Sequence, residues 1–210
     1  MRVHDADLTA KERAALGPLE IALWAAAIVE WTIEQARAIV AALPAFVSVV
    51  ALFVDPQPAH VRSVLAAVPV DVLQFHGGEG ADLCRAFGRP YVKAVPVARE
   101  AGSSGLLEYA ARYSDAAGLL FDAPPADGLP GGTGRTFDWS ALPSDVGRPV
   151  ILSGGLTAAN VGEAIRCVRP WGVDVSSGVE ALDDRGAPVR GLKDPARIAA
   201  FIEEVRHADG

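Results

Sequence analysis

The chain has 210 residues, half of them apolar, and a formal net charge of −7, which suits one domain with a sizeable buried core. An acidic chain without a basic run is a poor ligand for nucleic acid or an anionic membrane, so any anionic partner must be held by local groups. No basic stretch followed by an apolar one opens the chain, and the longest apolar run, 21–29, is far short of the roughly 18 residues of a membrane span, so a cytoplasmic location is expected.

Strand and helix signals alternate along the chain. Runs rich in Val, Ile, Leu and Phe predict strands at 1–7, 19–25, 46–54, 71–76, 91–97, 117–122, 149–153 and 172–176. Amphipathic segments predict helices at 10–16, 33–42, 58–68, 80–87, 104–113, 158–167 and 195–206, with a frayed tail from 206 to 210. The sixth connection differs: 123–136 is rich in Gly and Pro and leads into a short turn near Trp139. Eight strands alternating with helices give a parallel sheet. The count favours closure into a single (β/α)₈ barrel spanning residues 1–210, as does the lack of a glycine-rich turn after the first strand; the open alternative is a doubly wound sheet. The two cysteines, Cys84 and Cys167, fall in predicted helices and read as reduced, half-buried thiols.

In such barrels chemistry sits where strands end and the following loops begin. Three such segments carry oxyanion signals: Gly131-Gly132-Thr133-Gly134 in the sixth loop, Ser153-Gly154-Gly155 after strand seven, and Ser176-Ser177-Gly178 after strand eight. Glycines let backbone N–H groups approach an anion, hydroxyls add donors, and a short helix starting after Gly178 would add its dipole. Singly each is an ordinary turn; together, at the ends of neighbouring strands, they predict a phosphate site. Gly132, Thr133, Gly134, Gly154, Gly155, Ser176, Ser177 and Gly178 are its candidate residues. A phosphorylated small molecule is the expected partner, and the chain is expected to be a monomer or homodimer.

The segments FVSVVALFVD, VLQFHGGE, VKAV, LLFDAP, GGTGRTFDW, VILSGGLTAANV and VRPWGVDVSSGVE, in that order, resemble the phosphoribosylanthranilate isomerase family of tryptophan biosynthesis. The resemblance runs from about Glu34 to Arg206 and implies the same barrel fold. It implies an Amadori rearrangement that needs no metal or redox cofactor: an acid protonates the ribose ring oxygen, the ring opens to a Schiff base, and a base removes the C2′ proton. It places the acid at Asp122 and a ring-proximal carboxylate at Asp174; Asp174 is equally open to a structural hydrogen bond. His76 and Lys93 match strand-end positions, His76 as a structural hydrogen-bonding group and Lys93 as an ion-pair partner for an inward carboxylate. Arg135 either reaches a second substrate group or pairs on the surface.

The amino-terminal part departs from the family pattern. Where the family has a strand like RVKICGLT, with Cys as base, this chain has Arg2-Val3-His4-Asp5-Ala6-Asp7-Leu8-Thr9, which puts Ala6 at the base position. Asp5 and Asp7 flank it, and Asp7 is the provisional base if the register slips by one residue, which would turn its side chain to the opposite face. The loop after the second strand lacks the family's carboxylate-binding Arg, with Val29 near that place. Three functions remain open on these grounds: the family's isomerase with a new base, an enzyme acting on a different phosphoribosyl amine, or a non-catalytic phosphosugar-binding barrel.

Overall fold

A computed structural model describes residues 23–25, 32–97, 102–123 and 136–209. Seven strands form one parallel sheet: β1 (Leu23–Ala25), β2 (Val49–Phe53), β3 (Val72–Phe75), β4 (Tyr91–Pro96), β5 (Gly118–Asp122), β6 (Val150–Leu152) and β7 (Gly172–Val173). Their spatial order equals their order in the chain. That sequential order excludes the doubly wound alternative, which requires a reversal of strand order. The sheet curls, with helices over it, in the manner of a TIM barrel. The predicted first strand, 1–7, and first helix, 10–16, lie outside the described residues.

Alternation along each strand separates two layers. Val50, Val92, Ala94, Leu120 and Ile151 form one cluster on the inner face. Phe53, Leu73, Phe75, Tyr91, Val95, Leu119 and Phe121 belong to the larger core between sheet and helices. Burial on both faces is why these strands read as continuous apolar runs.

The covering helices are α1 (Ile33–Ala41), α2 (Pro58–Ala67), α3 (Ala81–Arg85), α4 (Gly102–Arg112), α5 (Val161–Val168) and α6 (Pro195–Asp209). Their starts follow from sequence. Thr32 accepts from Gln35 N (3.2 Å) and its own N–H donates to Gln35 Oε1 (2.9 Å), a capping box. Pro58 and Pro195 stand at first helical positions, where a missing N–H costs nothing. The left-handed Arg169 (φ 50°) followed by Pro170 stops α5. A single 3₁₀ turn, Trp139–Ala141, ends the sixth connection.

Three expectations are corrected. The short helix after Gly178 is one 3₁₀ turn, Ser177–Val179. It leads into an antiparallel hairpin of β8 (Glu180–Leu182) and β9 (Pro188–Lys193) that the sequence reading lacked. The tail is not frayed from residue 206, because α6 continues to Asp209. The cysteines are not both half-buried: Cys84 is fully buried and Cys167 exposed, and both are free thiols. Burial pushes the Cys84 thiol up to about 11, the nearby Lys93 opposing only in part. Iodoacetamide at pH 8 is therefore expected to add one adduct per native chain, at Cys167, and two once the chain is unfolded. Intact mass spectrometry reads this, and native modification of Cys84 would contradict the packing.

Candidate active site

Asp122 is the last residue of β5, its side chain 15% exposed at the carboxyl rim of the sheet. Its Oδ2 lies 3.0 Å from Nε2 of His76, the residue just past β3. His76 Nδ1 is in turn 2.9 Å from Nε2 of the fully buried Gln74. Gln74 and His76 are two apart on one strand, so their side chains share a face. The line of groups crosses over β4 at Ala94 and Pro96, where no long side chain intervenes.

The loop after β6 closes on Asp122 from the other side. Gly154 has φ +88°, and a Cβ there would overlap the amide nitrogen of Ala123 and come within 2.9 Å of Asp122 Oδ1. Only glycine lets the loop lie this close to the carboxylate. Asn160 pins the loop, accepting from Thr157 N (2.8 Å) and donating to the Gly155 carbonyl (3.0 Å). The loop after β7 packs against it, because a Cβ on Gly178 would overlap the Leu156 carbonyl oxygen. Two cations hold this second loop by its carbonyls: Lys193 Nζ donates to Ser176 O (3.0 Å) and Arg197 NH2 donates to Gly178 O (3.0 Å). In a trans peptide the next N–H points opposite the carbonyl, so the Ser177 amide is turned away from Lys193. Lys193 is itself anchored by Glu180 Oε1 (3.1 Å), so the hairpin braces the loop.

Asp174, just past β7, is 4% exposed. Its Oδ2 accepts from Ser153 Oγ (3.0 Å), while Oδ1 has no hydrogen-bond partner among the described residues. Asp174 thus makes a structural hydrogen bond and leaves its other carboxylate oxygen without a hydrogen-bond partner among the described residues. Ser153 is correspondingly occupied by Asp174 and is not a free anion donor. Lys93 does find a carboxylate, but not on the inner face. It lies in the layer beneath the helices, its Nζ 3.2 Å from Glu79 Oε2, both side chains fully buried.

The structure therefore brings together Asp122, Gly154, Gly155, Asp174, Ser176, Ser177 and Gly178 at the ends of β5, β6 and β7. Asp5, Asp7, Gly132, Thr133, Gly134 and Arg135 lie outside the described residues. Sequence reasoning missed Gln74, Glu79, Asn160, Lys193 and Arg197. Gln74 was findable, since a polar residue two before a strand-end His shares its face; the others act through contacts distant in sequence.

Among the described residues no helix is long and apolar enough to cross a membrane, and no group of three or more His, Cys, Asp or Glu is placed to hold a metal.

Comparison with known proteins places the chain in a family. The model of the family described as N-(5'phosphoribosyl)anthranilate (PRA) isomerase matches residues 4–204. The N-(5'-phosphoribosyl)anthranilate isomerase of Alcanivorax borkumensis is 49% identical over 175 residues, covering 83% of this chain and 78% of that protein. The crystal structure of phosphoribosyl anthranilate isomerase from Thermus thermophilus superposes with a TM-score of 0.74 at 28% identity, over 99% of this chain and 96% of that one. A phosphoribosyl anthranilate isomerase solved with reduced 1-(o-carboxyphenylamino)-1-deoxyribulose 5-phosphate gives 0.68 at 35% identity, over 84% and 80%. By sequence match and by superposition alike, this chain belongs to the N-(5'-phosphoribosyl)anthranilate isomerase family.

Proposed function

We propose that the chain catalyses its family's reaction, the Amadori rearrangement of N-(5'-phosphoribosyl)anthranilate in tryptophan biosynthesis. The observation that carries this reading is the placement of Asp122, one oxygen on His76 and the other against the glycine of the neighbouring loop. Asp122 donates a proton to the ribose ring oxygen as the C1′–O bond breaks, and the amine lone pair forms the C=N bond. A base then takes the C2′ proton, and the resulting enolamine tautomerises to the ketose. Asp7 is the proposed base. The phosphate is assigned to the amides and hydroxyls of Gly154, Gly155, Ser176, Ser177 and Gly178, with Gly132, Thr133 and Gly134 from the sixth loop. Asp174 Oδ1 and Arg135 are assigned to the remaining substrate groups.

The test is complementation of a strain lacking this isomerase, with turnover of the purified chain measured in parallel. Growth without tryptophan and measurable turnover are expected. A soluble chain with neither would end the isomerase reading and favour a phosphosugar-binding barrel.

Arg197 offers a second check. Its guanidinium fixes the Gly178 carbonyl and places positive charge beneath the loop. Hydrogen bonds to charged groups contribute about 1.5–3 kcal/mol. Arg197→Ala is expected to weaken inorganic phosphate binding about tenfold by calorimetry, and to raise KM more than it lowers kcat. Unchanged phosphate affinity would remove Arg197 from the site.

A further inference from the structure

Resting on the isomerase reading above, we propose that Gln74 and His76 form an arm that positions the acid: Gln74 fixes the ring tautomer of His76, and His76 holds Oδ2 of Asp122 so that Oδ1 faces the substrate. His76 and Gln74 are positioning residues here, acting on the substrate through Asp122.

The argument starts from which atom carries a proton. His76 Nε2 lies 3.0 Å from a carboxylate oxygen. Asp122 is the acid of the proposed reaction, and a carboxyl oxygen that carries a proton can donate as well as accept, so this contact alone leaves both ring tautomers open. The Gln74 amide nitrogen, which only donates, stands 2.9 Å from Nδ1, so Nδ1 accepts and in the neutral ring Nε2 carries the hydrogen. The tautomer is thus set from the buried end of the arm. Gln74 is fully buried, so its side chain has no water to turn towards.

The consequence for Asp122 is a division of labour between its oxygens. Oδ2 accepts from His76. Oδ1 lies on the Gly154 side, within 2.9 Å of where a side chain there would begin. When Oδ1 gives its proton to the ring oxygen, negative charge develops on the carboxyl group, and the bond from His76 becomes charge-assisted. Such bonds are roughly twice as strong as neutral ones, so the interaction is worth more in the transition state than before it. Residue types at this spacing serve that end: Gln74 on β3 and His76 just past it reach across the small Ala94 of β4 to the last residue of β5.

The test uses the intact chain in two arms. Long-range ¹H–¹⁵N NMR of the imidazoles, with His76 assigned by its loss in His76→Gln, is expected to show His76 as the Nε2–H tautomer. In Gln74→Leu the same ring is expected to show a mixture of both tautomers. An Nδ1–H ring in the intact chain would overturn the proposal, as would a tautomer unmoved by Gln74→Leu. In the kinetic arm His76→Ala is expected to lower kcat about 10–100-fold, with KM changed by less than about threefold. His76→Gln, whose amide N–H is the same number of bonds from Cβ, is expected to recover to within about fivefold of wild type. An unchanged kcat in His76→Ala, or no recovery with Gln in a folded protein, would also overturn it. If the intact chain itself shows no turnover, the isomerase reading falls, and the tautomer measurement still decides whether the arm exists.

Discussion

Asp122→Asn is expected to lower kcat by about 10²–10⁴-fold, the range general acid–base groups supply. The carboxamide matches the carboxylate in shape, and its oxygen can still accept from His76 Nε2, so the fold and the arm are kept. What it lacks is a proton to give the ring oxygen. The loss should fall on kcat, with KM nearly unchanged, because Asp122 is proposed to act on the opening ring and the phosphate is held elsewhere. Steady-state kinetics on the purified variant, beside its circular dichroism and thermal midpoint, check this. A folded Asp122→Asn with kcat within threefold of wild type would remove Asp122 from the mechanism.

The largest expected effect on stability belongs to Lys93→Met. Lys93 Nζ donates to the carbonyls of Phe75 (3.2 Å), Gly77 (2.6 Å) and Ala94 (3.2 Å) and to Glu79 Oε2 (3.2 Å). Glu79 in turn accepts from Asp55 N (2.8 Å) and Gly77 N (2.9 Å to Oε2), and Tyr113 Oη donates to its carbonyl (2.8 Å). Both side chains are fully buried. Replacing Lys93 by an apolar residue of similar length leaves a buried carboxylate without its cation and three carbonyls short of a donor. Breaking a buried pair from one side costs about 3–5 kcal/mol, a large share of the roughly 5–15 kcal/mol that holds a domain together. Urea unfolding should show the midpoint falling with the slope unchanged. A loss under about 1 kcal/mol would mean that water reaches Glu79 in solution.

The barrel strands were legible because burial on both faces leaves a plain mark, unbroken Val, Ile, Leu and Phe. Predicted and observed starts agree within a few residues from β2 to β7. The helix starts were legible for a local reason too, since Thr32 with Gln35 and Pro58 act on their own neighbours. The hairpin after Gly178 was not. Its turn carries a recognisable signal, Asp183 Oδ1 accepting from Arg185 N (2.9 Å) and Ala187 N (2.8 Å) with Gly186 at φ +79°. Its strands, however, are short and largely exposed, so no apolar alternation announces them. The same hairpin explains the missing helix: the chain leaves its 3₁₀ turn to pair Glu180 with Lys193.

The site divides along similar lines. Asp122, Asp174 and the loops of Gly154 and Gly178 sit at strand ends that periodicity predicts, and the family resemblance singled out the two carboxylates. Glu79 lies in a glycine-rich stretch that reads as surface; only Lys93, distant in sequence, makes it a core residue. Lys193 and Arg197 are ordinary cations in sequence, given a task by where a hairpin and a helix bring them.

That last helix contact has a thermodynamic corollary. Arg197 belongs to α6 and touches the loop to which we assign the phosphate; on that assignment, docking of this helix and binding of the anion are reciprocally linked. A ligand there should slow amide exchange along the final turns, and trimming or tagging that end should, by the same coupling constant, loosen the ligand.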